Sequence, residues 1–111
     1  MVNKRTQLFA KVLAEVDAVG VSLIPAFRLA AKNRTTEDAT CLGTVYGRRL
    51  AHAVHGIRGC TKMHVFHAVV DSLDARNLRL ADPKLDGVFI AALAKGFART
   101  AHALKQAAEE E

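Results

Sequence analysis

Asp82-Pro83-Lys84-Leu85-Asp86-Gly87-Val88-Phe89-Ile90-Ala91-Ala92-Leu93-Ala94-Lys95-Gly96-Phe97 opens the longest periodic segment of the chain and decides its fold class. An aspartate can accept from the free amides of a first helical turn, and a proline at the first helical position has no amide to leave unpaired. Downstream, Leu85, Phe89, Leu93, Phe97, Ala101, Leu104 and Ala108 recur every three or four residues. That is the period of one helical face, so a helix is predicted from Pro83 to about Ala108.

Three more such segments lie upstream. Thr61 can cap a helix whose inward positions are Met63, Phe66, Val69/Val70 and Leu73, fading at Asn77, and the connection Leu78 to Ala81 is apolar enough to be partly buried. Before it, Thr36 with Glu37 and Asp38 supplies a capping hydroxyl and acids for the positive end of a helix. Its stripe is Leu42, Val45/Tyr46, Leu50, Ala53/Val54 and Ile57, and Gly56 with Gly59 ends it. Gly43 and Gly47 each weaken this helix by roughly 1 kcal/mol relative to alanine unless they permit close packing.

From Thr6 to Lys32 the period is sustained by Leu8/Phe9, Val12, Val16, Val19, Leu23, Phe27 and Ala30. Gly20 and Pro25 interrupt it, which predicts one kinked helix or two helices meeting near Val21 to Ile24. Four amphipathic segments on short loops, with no strand signal, predict an all-α, antiparallel four-helix bundle whose first helix is long and kinked or split near Pro25. Leu50, Val54, Phe66, Val70, Phe89, Leu93 and Phe97 are expected to share its core.

Length and composition agree with that class. At 111 residues the chain is a single domain, 1–111, and half its residues are hydrophobic, with five Phe, one Tyr and no Trp. Strand-forming aromatics are sparse and alanine is plentiful, as close-packed helices require. No stretch approaches the roughly 18 apolar residues of a membrane span, and the N-terminus has no signal-peptide core, so a cytoplasmic protein with no membrane partner is expected. Cys41 and Cys60 make no disulfide framework. The net charge of +5 suits an anionic partner. Between Arg28 and Lys62 seven Lys or Arg stand against two acids, whereas Glu109 to Glu111 form an acidic tail expected to fray.

The candidate chemistry lies in Arg48-Arg49-Leu50-Ala51-His52-Ala53-Val54-His55-Gly56-Ile57-Arg58-Gly59-Cys60. Arg48, His52, His55 and Gly59 recur at helical spacing away from the apolar stripe, so one exposed face combines two imidazoles with arginines. Neutral imidazole is a nucleophile, and neighbouring guanidinium groups stabilise an anion attached to it. Ala51-His52 and Gly56, with Phe66, Val69, Val70 and Leu73-Asp74 downstream, resemble the histidine phosphotransfer (HPt) domains, four-helix bundles with an A-H-x-x-K-G signature on an exposed helix. The resemblance implies a non-enzymatic signalling or adaptor protein without a cofactor, a phosphate carrier or binding protein rather than a catalyst. His52 would accept phosphate from the aspartate of a response-regulator receiver. Arg48, Arg49, His55, in the place of the family's lysine, Gly56 and Arg58 would form the binding surface, and the same face can instead dock a protein partner.

Two alternatives use overlapping residues. Lys95, Arg99 and Lys105 on the last helix, with Arg48, Arg49 and Arg58, could track a phosphate backbone, as in a small nucleic-acid-binding regulator of phage or mobile-element type. His52, His55, Cys60 and His64 could instead ligate zinc in a metal-binding module if two helices converge at Gly59.

Overall fold

Five helices follow one another: α1 (Lys4–Ser22), α2 (Ile24–Asn33), α3 (Thr36–Val54), α4 (Lys62–Ala75) and α5 (Pro83–Glu110). The computed structural model describes residues 3–80 and 82–110, and among these there is no strand. Ala81, in the connection before α5, and Glu111, in the acidic tail, lie outside the described residues.

Local chemistry sets each boundary. Asn3 caps α1, its side chain accepting from the Thr6 amide at 2.8 Å. Pro25 falls in the first turn of α2 and cannot donate back into α1, so the first segment divides at Leu23. Thr35, not Thr36, caps α3: its backbone is extended and its hydroxyl accepts from the Asp38 amide at 3.1 Å, leaving Thr36 as the first helical residue. Thr61 and His64 form a reciprocal box at the start of α4, the Thr61 amide donating to His64 Nδ1 at 3.0 Å. The Asp82 carboxylate accepts from the Lys84 amide at 2.9 Å at the head of α5. Glu109 and Glu110 continue α5 and do not fray away from it.

α3 and α5 make the most extensive helix pairing. The chain reverses after α3 and again after α4, so this pair runs in the same direction: Gly43 lies beside Phe89 to Leu93, and Gly47 beside Leu93 to Phe97. Small residues allow the approach. A Cβ on Gly43 would overlap the Phe89 carbonyl oxygen and come within 2.8 Å of the Ala92 Cβ. One on Gly47 would overlap the Leu93 carbonyl, and one on Gly96 would sit 2.9 Å from the Thr44 carbonyl oxygen. The helix propensity these glycines lack is thus offset by backbone-to-backbone packing.

α1 and α4 also run alongside one another in a common direction, from Leu8 near Gly59 to Asp17 near Ser72 and Arg76. Polar groups join them. Arg76 donates to both carboxylate oxygens of Asp17, at 2.9 and 2.7 Å, and the Ser72 hydroxyl donates to Asp17 Oδ1 at 2.7 Å. The Arg76 hydrogen bonds, then that of Ser72, hold the Asp17 carboxyl down at about 2. Above this network Tyr46 is fully buried, and among the described residues its hydroxyl meets no partner at hydrogen-bonding geometry, the nearby Ser72 hydroxyl being donated to Asp17. Burial, with the Asp17 charge beside it, pushes that phenol up to about 12.

Leu50, Val54, Phe89, Leu93 and Phe97 are buried as expected, and Phe27, Tyr46 and Phe89 meet edge-on at 5.2 to 5.9 Å between ring centres. The expected face of α4 holds at Val69 and Leu73 and is corrected elsewhere. Val70 is 53% exposed, Met63 63% exposed and Phe66 half-buried, while Val65, Ala68, Val69, Ser72 and Leu73 face inward. This helix is apolar on two faces, so periodicity alone offered two stripes. The one that places Ser72 against Asp17 faces the interior.

Candidate functional site

Arg48 and His52 stand one turn apart on the exposed side of α3, with Leu50, Ala51 and Val54 anchoring the opposite side in the core. His52 lies in the last turn of the helix. Because α5 runs parallel to α3 at close range, Lys95 and Arg99 come up beside them. The result is an open groove of about 350 Å³ whose lining includes Thr44, Arg48, His52, Lys95, Arg99 and Thr100. Ala92, Gly96 and Ala103, small residues that leave room for an occupant, complete the lining. On the other side of α3 a second opening, about 280 Å³, is lined by Val45, Arg48, Arg49 and His52. Arg48 and His52 therefore form a ridge between the two openings.

Among the described residues no acid lines the groove. Residues 39–70 and 87–108, which supply both of its walls, contain no Asp or Glu. The ion pairs among the described residues, Arg76 with Asp17 and Arg79 with Asp74, involve none of the groove cations. Arg49 turns toward the end of α1, donating to Ser22 Oγ at 3.3 Å. Guanidinium, ammonium and imidazole donors with two threonine hydroxyls and no carboxylate make a site for an anion, above all one with several oxygens.

The remaining candidate residues do not join this group. α3 ends at Val54, so His55 caps it and Gly56, Arg58 and Gly59 lie in the following turns. All four are exposed, and Gly59 takes a positive φ of 80° that a side chain would strain. Lys105 is exposed on α5 outside the groove. His52, His55, Cys60 and His64 do not assemble: among the described residues no three His, Cys, Asp or Glu side chains gather as metal ligands. His64 has its Nδ1 engaged in the cap of α4. Burial pushes the Cys60 thiol up, away from the thiolate a metal would take.

Thr44 and Thr100 were not among the residues singled out from sequence. Their signal was the spacing of small residues, Gly43 and Gly47 on one helix and Ala92 and Gly96 on the other. Aligned side by side, these set a register in which each α3 residue faces the α5 residue about 48 positions later. No helix among the described residues is long and apolar enough to cross a membrane. Comparisons of the chain with protein-family models, with curated proteins and with solved structures find no match.

Proposed function

We propose that this chain is a small non-enzymatic adaptor that binds a phosphate-bearing partner in the groove between α3 and α5. The observation that carries this is the convergence of Arg48 and His52 from one helix with Lys95 and Arg99 from the other around a single opening without a carboxylate. Such a field raises the local concentration of anions and steers their approach. Equilibrium dialysis against inorganic pyrophosphate tests it. The wild-type chain should retain the anion at low salt, and the double variant Arg48→Ala/Arg99→Ala should retain about tenfold less, since each lost charged hydrogen bond is worth roughly 1.5 to 3 kcal/mol when desolvated and less when exposed. Equal retention by the two proteins would remove the groove as the binding site.

A second proposal follows the HPt resemblance and draws support from the exposure of His52 beside Arg48 at the edge of the groove. If α1 and α2 are taken as one split rod, four rods alternate in direction along the chain, as the four-helix bundle of that family does. His52 would then take the phosphoryl group from a receiver's aspartyl phosphate onto a ring nitrogen, with Arg48 and Lys95 stabilising its charge. Incubation with a phosphorylated receiver should leave an acid-labile, base-stable label that His52→Gln abolishes. Absence of label from His52 would confine the groove to binding.

A further inference from the structure

We propose that the phosphate recognised on the α3/α5 face is the backbone of double-stranded nucleic acid, held without reading of the bases; this deepens the adaptor proposal and rests on it. Arg48 and His52 stand on a ridge with an opening on each side, one of about 350 Å³ whose lining continues to Lys95 and Arg99 and one of about 280 Å³ that adds Arg49. A site for one small phosphate would close its donors around a single point. Here Arg48 and His52 form one row and Lys95 and Arg99 a second, each pair separated along its helix by about 6 Å. With Arg49 beside the second opening, four permanent cations and two hydroxyls are laid out in rows that each cover about two phosphate steps of a strand.

Stacking groups decide between a duplex and a single strand. Proteins that hold single strands place aromatic rings on the binding face so that successive bases stack on them. This face has none. Phe27, Tyr46, Phe89 and Phe97 are buried, Phe9 and Phe66 are half-buried on α1 and α4, and the surfaces between the two cation rows are alanine and glycine. A cationic, aromatic-free face is suited to sugar-phosphate contacts along a paired helix, whose bases are already stacked. Arg48, Lys95 and Arg99 sit on the flanks of two helices packed side by side, with His52 alone in a last helical turn, so no row of donors projects as a reading head and contacts to base edges are not expected. Binding should accordingly be driven by counterion release and be indifferent to sequence.

Fluorescence anisotropy on labelled duplexes of about 20 base pairs, in two unrelated sequences, and on one of the constituent strands tests this across roughly 50 to 200 mM salt. The duplexes should bind alike and more tightly than the strand. The plot of log affinity against log salt should have a slope between about −3 and −4, for four phosphates neutralised. Lys95→Ala/Arg99→Ala should flatten that slope by about 2, while Lys11→Ala on α1 leaves it unchanged. Circular dichroism melts of both variants confirm that they are folded. No duplex binding at low salt, tighter binding of the single strand, tenfold discrimination between the two sequences, or an unchanged slope in the double variant would each overturn the proposal. If the duplex fails while pyrophosphate or a phosphorylated receiver still binds the groove, the nucleic-acid assignment falls and the adaptor proposal stands; if pyrophosphate fails as well, both fall.

Discussion

The two parallel helix pairs are held by opposite means. Between α3 and α5 the contact is backbone against backbone: Gly43, Gly47 and Gly96 remove side chains so that carbonyls and amides of the facing helix come to van der Waals range. Between α1 and α4 the helices keep side chains on their inner faces, Val12 and Val16 on one and Val65 and Val69 on the other, and a charged network is added at the half-exposed edge, where Arg76 and Ser72 hold Asp17 over an apolar opening of about 510 Å³ that includes Ala10, Leu13, Ala14 and Ala75. The first pair uses up no polar group in its seam, so its outward cations remain unpaired with acids and available. The second spends its Arg and Asp on each other. A helix pair that packs through glycine can thus keep its charged residues for a partner.

The largest effect is expected at the aromatic cluster that backs the α3–α5 seam. Phe89→Ala should destabilise by about 3 to 5 kcal/mol in chemical denaturation, since the ring is 2% exposed and packs on Phe27 and Tyr46. Next comes the seam itself. Gly47→Ala replaces a poor helix former with the best one, a gain of about 1 kcal/mol on an exposed helix. Here the new methyl meets the Leu93 carbonyl and the Phe97 amide, and overpacking of this kind costs about 1 to 3 kcal/mol or more. A net loss of up to about 2 kcal/mol is expected. A more stable Gly47→Ala protein would show that the two backbones are not in contact.

The charged pair predicts a smaller effect with a pH signature. The Asp17 carboxyl is lowered in the folded state to about 2, below its unfolded value near 3.9, so its contribution is present above about pH 4 and is lost as pH falls toward 2. Asp17→Asn should therefore be less stable than wild type at neutral pH, and the two denaturation curves should converge between about pH 4 and pH 2. A gap that persists at pH 2 would assign the loss to packing.

The smallest change is expected at Tyr46. Its hydroxyl is buried without a partner, so Tyr46→Phe removes an unsatisfied group and should leave stability at neutral pH within about 1 kcal/mol of wild type or slightly raised. Because the folded phenol is raised to about 12, the wild type loses stability as pH climbs through the unfolded value near 10, and Tyr46→Phe should not share that loss.

Helix existence was legible in the sequence because caps and periodicity are local: Pro83, Thr61 and the break at Pro25 each mark their own boundary. Helix orientation was less so. On α4 both Met63/Phe66/Val70 and Val65/Val69/Leu73 form apolar stripes, and only the tertiary partner, Asp17 reaching Ser72, selects the second. The site was half visible. Arg48 with His52 and Lys95 with Arg99 each stood out as a basic face, but nothing local says that two helices separated by α4 run side by side. That information lay in the small residues at matching four-residue intervals, of which Gly43 and Gly47 allow close packing to be foreseen but not the helix that would pack there.

The most direct test of the shared α3/α5 groove is an amide chemical-shift map of the chain titrated with inorganic pyrophosphate. Perturbations should cluster at Thr44, Arg48 and His52 on α3 and at Lys95, Arg99 and Thr100 on α5, rising together with one affinity and vanishing together in Arg48→Ala/Arg99→Ala. Shifts confined to one of the two helices, or centred on the α1–α4 side around Asp17 and Arg76, would contradict it.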